Sequence, residues 1–179
     1  MKFTETPLSG CFVVEQERRG DDRGHFARVF CTAEFAAHGL CAHIEQANAA
    51  TSRTRGTLRG LHFQRGQDAE DKLVRCTRGR AFDVAVDLRP DSATRGSWFG
   101  IELDAAQGNM LFVPKGFAHG YLTLEDDTEM HYMVSAAYAP GSEQGYCWND
   151  PAFAIEWPIT DGLTLSDKDT QWPAYSARD

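Results

Sequence analysis

Two histidines and a tyrosine are the residues of this chain whose types and setting suggest proton transfer. His62 and His119 each lie close to glycine, inside segments otherwise typical of β-strands. A histidine titrates near pH 6.5, so it takes up and returns a proton at neutral pH. Tyr132 carries a phenol whose ordinary pKa is about 10, which suits it to donate a proton from another side of a substrate. The combination predicts acid–base chemistry on carbon, in the mouth of a β-barrel.

The direction of Arg59 depends on the local geometry of the strand that carries His62. Strict alternation places His62 on one face and Arg59 on the other. Gly60 is a candidate bulge, and a bulge would bring both side chains inward. Without a bulge, Arg59 is a surface residue.

Structural interpretations also exist for the other candidates. Tyr132 shares its strand face with Met130 and Val134, as in a core aromatic stripe. Asp169 fits a solvated acidic loop, although a carboxylate there could instead orient a histidine and stabilise its cation.

Composition limits the class of protein. The chain has 179 residues, 42% of them apolar, which predicts one globular domain over residues 1–179 with a full core. A net charge of −8 disfavours nucleic acid as a partner. No apolar run approaches the length of about 20 residues that spans a bilayer, so no membrane association is expected. The first residues lack the apolar core of a signal peptide, which predicts a cytoplasmic protein.

The pattern of short strands predicts an all-β, double-sheet jelly roll, that is, a cupin-like β-barrel. Strand candidates are punctuated by Gly, Pro, Asp and Ser. They cover residues 11–17, 42–48, 57–64, 72–77, 80–88, 98–103, 110–114, 117–124, 128–138 and 145–148. One short helix is predicted at 33–38, with Thr32 as its cap and Gly39 at its end. Residues 150–179 are proline-containing and predict an extended C-terminal tail that packs on the body.

A metal site is the main chemical alternative, because small barrels often bind metal through a His-x-His pair and a carboxylate. Here position 64 is Gln, and His131 is out of phase with Tyr132. His62 and His119 could be two ligands of a 2-His-1-carboxylate site, but nothing identifies the third. The five cysteines include no Cys-x-x-Cys pair and are expected to be reduced thiols. No metal is therefore expected.

With these residues in place, the chain resembles the dTDP-4-dehydrorhamnose 3,5-epimerase family of cupin-type nucleotide-sugar epimerases. The resemblance covers nearly the whole chain in both order and spacing. The motifs that carry it are residues 22–26 (DRGHF), 46–48 (QAN), 58–64 (LRGLHFQ), 72–76 (KLVRC), 83–89 (DVAVDLR), 114–120 (PKGFAHG), 148–151 (WNDP) and 166–169 (SDKD).

The resemblance implies a cofactor-free homodimer that acts on a nucleotide-diphosphate 4-keto-6-deoxyhexose and inverts C3 and C5. It implies His62 as the base, Asp169 as its partner and Tyr132 as the acid on the opposite face. Residues expected to bind the sugar and diphosphate are Arg59, Lys72 and His119. Those expected at the nucleotide site or its border are Arg23, Phe26, Gln46, Asn48, Tyr138, Glu143 and Lys168.

One position departs from the family pattern. Where the family usually has a glutamate that helps to hold the thymine ring, this chain has Arg28. An acceptor-only carboxylate is thereby replaced by a donor-only cation, so Arg28 is expected to alter how the nucleotide base is held.

Three alternatives to a double epimerase remain open from the residues. The first is a single-carbon epimerase of the same class, because the presence of Tyr132 does not decide whether one carbon or both are inverted. The second is a metal-dependent cupin enzyme. The third is a non-catalytic sugar-binding jelly roll, which the set of His62, Tyr132 and Asp169 disfavours.

Overall fold

The computed structural model describes residues 1–176, and its elements are mainly strands. The strands are β1 (Lys2–Glu5), β2 (Phe12–Glu15), β3 (Arg19–Asp21), β4 (Gly24–Phe26), β5 (Gln46–Ser52), β6 (Leu58–Gln64), β7 (Lys72–Arg78), β8 (Arg80–Asp87), β9 (Trp98–Asp104), β10 (Met110–Val113), β11 (Phe117–Thr123), β12 (Thr128–Val134) and β13 (Glu143–Gly145). Helix α1 spans Thr32–Ala37, and a short 3-10 helix spans Gly66–Asp68.

Two sheets of antiparallel strands face each other, as predicted for a double-sheet jelly roll. The six-stranded sheet has the order β1-β2-β10-β7-β12-β5, and the five-stranded sheet has the order β13-β6-β11-β8-β9. Strands β3 and β4 form a separate hairpin. Non-consecutive strands lie side by side in both sheets, so the chain crosses repeatedly between the two layers and brings distant segments to one interior.

The space between the sheets is filled by alternate residues of their strands. Val74 and Cys76 of β7 meet Met130 of β12 and Ala81 and Ala85 of β8 in one buried cluster. These side chains repeat at every second position, which is the period of a strand with one face inward.

The outer faces of both sheets are covered by other segments of the chain. Phe35 of α1 is fully buried against Leu73 and Phe112 of the six-stranded sheet. On the other side, the C-terminal tail packs Phe153 and Trp157 against the five-stranded sheet. Burying a large aromatic side chain contributes about 1.5–3 kcal/mol, so the tail is an integral part of the fold. The predicted extended tail is confirmed up to residue 176.

Both faces of β8 are buried, which explains the alternation of aspartate with apolar residues in its sequence. Val84 and Val86 face the tail, whereas Asp83 and Asp87 are fully buried on the inner side. A buried carboxylate requires partners. Asp87 receives hydrogen bonds from Ser92 Oγ at 2.5 Å and Thr94 Oγ1 at 2.7 Å, together with an ion pair with Arg89, and so holds the loop after β8.

The sequence located most elements but missed three strands. Each strand candidate contains or overlaps an observed strand, while β1, β3 and β4 were not predicted. The helix is present, and Gly39 ends it with a φ of +70°. The predicted cap was wrong: Thr32 is the first helical residue, and Cys31 occupies the cap position with no side-chain hydrogen bond. Among residues 1–176, no helix is long and apolar enough to cross a membrane.

Candidate active site

A cavity of about 800 Å³ opens between the two sheets. The six-stranded sheet supplies one wall, the five-stranded sheet supplies the other, and the tail segment around residue 168 closes one side. Of the fourteen residues expected at the site, eleven line this cavity: Gln46, Asn48, Arg59, His62, Lys72, His119, Tyr132, Tyr138, Glu143, Lys168 and Asp169.

A bulge at Gly60 turns both Arg59 and His62 into the cavity. His62 is opposite His119 on β11 and Arg59 is opposite Tyr121, so three steps along β6 match two steps along β11. Gly60 has a φ of +138°, and a Cβ at this position would lie 2.6 Å from the Cα of Gly120. Only glycine fits this backbone and this close approach. The bulge is therefore confirmed, and Arg59 is a cavity residue.

His62 forms a close pair with a carboxylate from the C-terminal tail. Its Nε2 lies 2.5 Å from Oδ1 of Asp169, and the Ser166 hydroxyl donates to Oδ2 at 2.7 Å. Burial raises the pKa of Asp169, but the hydrogen bonds from His62 and Ser166 outweigh it and hold the pKa below its ordinary value. The carboxylate therefore stays ionised at neutral pH and can stabilise an imidazolium at position 62.

A second histidine–aspartate pair lies beside the first. His119 Nε2 is 2.9 Å from Oδ1 of Asp83, and both side chains are buried. Because His119 is directly opposite His62 in the β6–β11 register, its ring is held next to the first pair. The inward aspartate of β8 thus fixes a cavity histidine.

Tyr132 comes from the opposite wall. It lies on β12 in the six-stranded sheet, directly across from Asn48 on β5. Burial raises the pKa of the Tyr132 phenol above its ordinary value, while Arg59 acts in the opposite direction. The phenol is therefore protonated at neutral pH and available as a proton donor across the cavity from His62.

Lys72 and Glu70 form an ion pair in the cavity, of which only Lys72 was predicted from the sequence. Lys72 was expected at the site, but Glu70 was not. Lys72 Nζ lies 3.0 Å from Oε1 of Glu70, and their side chains are only 13% and 11% exposed. The available signal was the spacing, since residues two apart share one side of an extended chain.

The mouth of the cavity is organised by hydrogen bonds between the predicted nucleotide-site residues. Tyr138 is 57% exposed, and its hydroxyl donates to Glu143 at 2.6 Å. The same carboxylate pairs with Lys168, and the Gln46 side chain accepts from the Tyr138 backbone at 2.8 Å. These contacts tie β5, β13 and the tail together around the opening.

Gln64 serves as a loop anchor, although its position had suggested a missing metal ligand. It is buried, and its amide donates to the backbone of Asp68 and Ala137 while accepting from Ala139. Within residues 1–176, no group of three or more His, Cys, Asp or Glu side chains is placed to hold a metal ion.

Three predicted substrate-binding residues lie away from the cavity of their own chain. Arg23 is on the β3–β4 hairpin and pairs with Asp21, while Phe26 is 69% exposed. Arg28 follows the hairpin and pairs with Glu34 of α1 at 3.1 Å. One chain therefore does not bring these three residues to the site.

A double-sheet jelly roll whose cavity has a histidine–aspartate pair on one wall and a tyrosine on the other has the fold and the side chains of a cupin-like enzyme. The sequence profile of the dTDP-4-dehydrorhamnose 3,5-epimerase family matches residues 5–177. The dTDP-4-dehydrorhamnose 3,5-epimerase of Escherichia coli K12 is 46% identical over 170 residues, covering 94% of this chain and 91% of the relative. This chain belongs to the dTDP-4-dehydrorhamnose 3,5-epimerase family.

Solved structures agree with this membership. The crystal structure of the Elizabethkingia anophelis dTDP-4-dehydrorhamnose 3,5-epimerase superposes with a TM-score of 0.95 at 40% identity, over 98% of this chain and 96% of that one. A Legionella pneumophila epimerase solved with dTDP-4-keto-L-rhamnose gives a TM-score of 0.91 at 34% identity, over 97% and 92% of the two chains.

Proposed function

We propose that this protein is an isomerase that inverts C3 and C5 of a nucleotide-linked 4-keto-6-deoxyhexose, with dTDP-4-dehydrorhamnose chemistry as in its relatives. The observation that carries the proposal is the position of His62 and Tyr132 on opposite walls of one cavity. Inversion at carbon requires a base on one face and a proton donor on the other, and these two side chains fulfil that requirement.

The reaction begins with proton removal next to the ketone. The C–H bond breaks as its proton passes to the imidazole of His62, and the electron pair moves through the new C–C double bond to the C4 oxygen. Asp169 stabilises the resulting imidazolium. Arg59 and Lys72 line the same cavity and supply positive charge for the enolate oxygen.

The second half returns a proton to the opposite face. The enolate collapses to the ketone as the Tyr132 phenol gives its proton to carbon. The Tyr132 phenolate then takes a proton from solvent, and the His62 imidazolium releases one. The atoms and electrons balance with no oxidant or reductant, and no cofactor is part of this proposal. Each acid–base group is expected to contribute about 10²–10⁴-fold to the rate.

The nucleotide is assigned to the mouth, where Gln46, Asn48, Tyr138, Glu143 and Lys168 offer both hydrogen bonds and an aromatic ring. The sugar and the diphosphate are assigned to Arg59, Lys72 and His119. Arg59 and Lys72 supply local cations that can attract an anionic ligand in a chain of net charge −8.

A homodimer of single-domain chains, residues 1–179, is part of the same proposal. Arg23 and Phe26 sit on a hairpin that projects from its own body, and an exposed phenylalanine favours burial against another surface. We assign the partner's hairpin to the mouth of each cavity. A cytoplasmic location is also proposed, in keeping with five free cysteines, since thiols persist in reducing compartments.

Complementation between two inactive variants tests whether each site is shared, that is, formed by the cavity of one chain and the hairpin of its partner. His62→Asn and Arg23→Ala variants are each expected to lose most activity, whereas a mixture refolded together restores part of it, because one site per mixed dimer is intact. A mixture that remains inactive, or a protein that sediments as a monomer, contradicts the shared site.

Proton exchange in heavy water tests the reaction itself. Incubation of the 4-keto sugar nucleotide with the enzyme in D₂O should place deuterium at both C3 and C5, read by NMR. Deuterium at one carbon alone would identify a single-carbon epimerase. Activity lost to a strong chelator would identify a metal-dependent cupin enzyme, and binding without any exchange would identify a sugar-binding protein.

A further inference from the structure

Glu70 is a largely buried charge that lines the cavity and has no role in the proposed reaction. It lies two residues before the start of β7, on the same side as Lys72, and its side chain is 11% exposed. A carboxylate in this setting is retained only with a partner, and Lys72 Nζ at 3.0 Å supplies it. The pair belongs to the six-stranded wall, the wall that also carries Tyr132.

Lys72 of this pair lies on the same sheet face as the Tyr132 phenol. Tyr132 is opposite Val74 in the β12–β7 register, and Lys72 is two residues before Val74. Lys72 and Tyr132 are therefore diagonal neighbours on one sheet face, a relationship that brings long side chains within reach of each other. Burial raises the pKa of Tyr132, Arg59 lowers it, and the Glu70 carboxylate raises it further.

We propose that Glu70 is a positioning residue for the epimerisation: it holds the Lys72 ammonium on the cavity wall and places a negative charge in the cavity that Tyr132 lines. The inference rests on the proposed function and deepens it. Without the carboxylate, Lys72 would lose its fixed position against the enolate oxygen. The Tyr132 phenolate left after proton donation would also take up its proton less readily.

Other titratable groups face the same cavity, so the effect of Glu70 must be separated from theirs. Those on the elements packed around Tyr132 are Lys72 on β7, Arg59 and His62 on β6, and His119 and Tyr121 on β11. Among them Arg59 acts on the Tyr132 phenol in the direction opposite to Glu70. Removing only the Glu70 charge is therefore expected to lower the pKa of Tyr132.

The test is a tyrosinate absorbance titration of the unliganded protein. The contribution of Tyr132 is obtained by subtracting the same curve for the matching variant that also carries Tyr132→Phe. Glu70→Gln keeps the shape of the side chain and should move the Tyr132 titration to lower pH. Glu70→Asp keeps the charge and should leave the Tyr132 titration near its wild-type pH. Glu102→Gln removes an exposed carboxylate from an ion pair with Arg80 and should leave it unchanged.

Kinetics supply a second readout. Glu70→Gln should lower kcat about tenfold, less than the roughly 10²–10⁴-fold expected for loss of an acid–base group itself. KM should not rise, because the cavity loses a negative charge that repels the diphosphate. A Tyr132 titration that does not move, or a KM that rises with kcat unchanged, overturns the proposal. The titration needs no substrate, so it tests the effect of Glu70 on Tyr132 separately from the proposed function: failure of epimerisation and failure of the Glu70 effect are distinguishable.

Discussion

Arg59 and His62 point into the same cavity although they are three residues apart on one strand. An undistorted strand would place them on opposite faces. The bulge at Gly60 inserts one extra residue relative to β11 and cancels that difference. The charge proposed to stabilise the enolate and the base proposed to create it therefore share one local backbone feature.

Replacing Gly60 should lower both the stability of the fold and the activity of the protein. In Gly60→Ala the new Cβ would meet the Gly120 Cα at 2.6 Å, and the φ of +138° disfavours any side chain. We expect the free energy of unfolding to fall by more than about 2 kcal/mol, measured by urea denaturation. Gly141→Ala is the control, since its Cβ would meet nothing within 4 Å. Equal effects of the two variants would refute the account of the bulge.

The proposed roles of His62 as base and Tyr132 as proton donor predict that their substitutions impair different steps of the reaction. His62→Asn should abolish solvent exchange of the substrate's C–H protons. Tyr132→Phe should retain exchange at the face of His62 but lose about 10²–10⁴-fold in inverted product, because the opposite face lacks its donor. NMR in D₂O measures both. Tyr138→Phe, at the mouth, should raise KM while inversion continues. Normal inversion by Tyr132→Phe would remove Tyr132 from its proposed role.

Asp87 should contribute to stability in a defined pH window. Burial raises the pKa of Asp87, but hydrogen bonds from Arg89, Ser92 and Thr94 outweigh it and lower the pKa to about 2. Its folded pKa is below the unfolded value of about 3.9, so the contribution is complete above pH 4 and is lost as the pH falls towards 2. We expect Asp87→Asn to cost about 2 kcal/mol at pH 7, and less as the pH falls through this window.

Denaturation curves between pH 2 and pH 7 measure this contribution. Asp91→Asn, an exposed neighbour in the same loop, should change little at any pH. A difference between Asp87→Asn and wild type that does not change with pH would contradict the assignment to this carboxylate.

Arg28 should influence the choice of nucleotide base. Arg28→Glu replaces donors by an acceptor, and we expect kcat/KM for a thymidine-linked substrate to rise about tenfold relative to substrates with other bases. Arg28 also pairs with Glu34, so Glu34→Gln is the matched control that breaks the pair and keeps the cation. Equal selectivity in both variants would mean that the ion pair, rather than the base contact, controls the site.

The residues of this site were identifiable from the sequence because chemical type and strand periodicity are local properties. Imidazole and phenol side chains at positions 62 and 132, together with two-residue alternation, indicated proton transfer inside an all-β fold, and the family resemblance added the carboxylate at position 169. The missed strands β1, β3 and β4 are short and largely exposed, so they carry weak alternation.

Only the tertiary structure decided how those residues meet. Asp169 reaches His62 across 107 residues because the tail packs on the five-stranded sheet. Arg59 turns inward because two backbones approach at Gly60 and Gly120. The Glu70–Lys72 pair lines a cavity whose other walls come from strands distant in sequence. Such contacts depend on packing between layers, which no local pattern encodes.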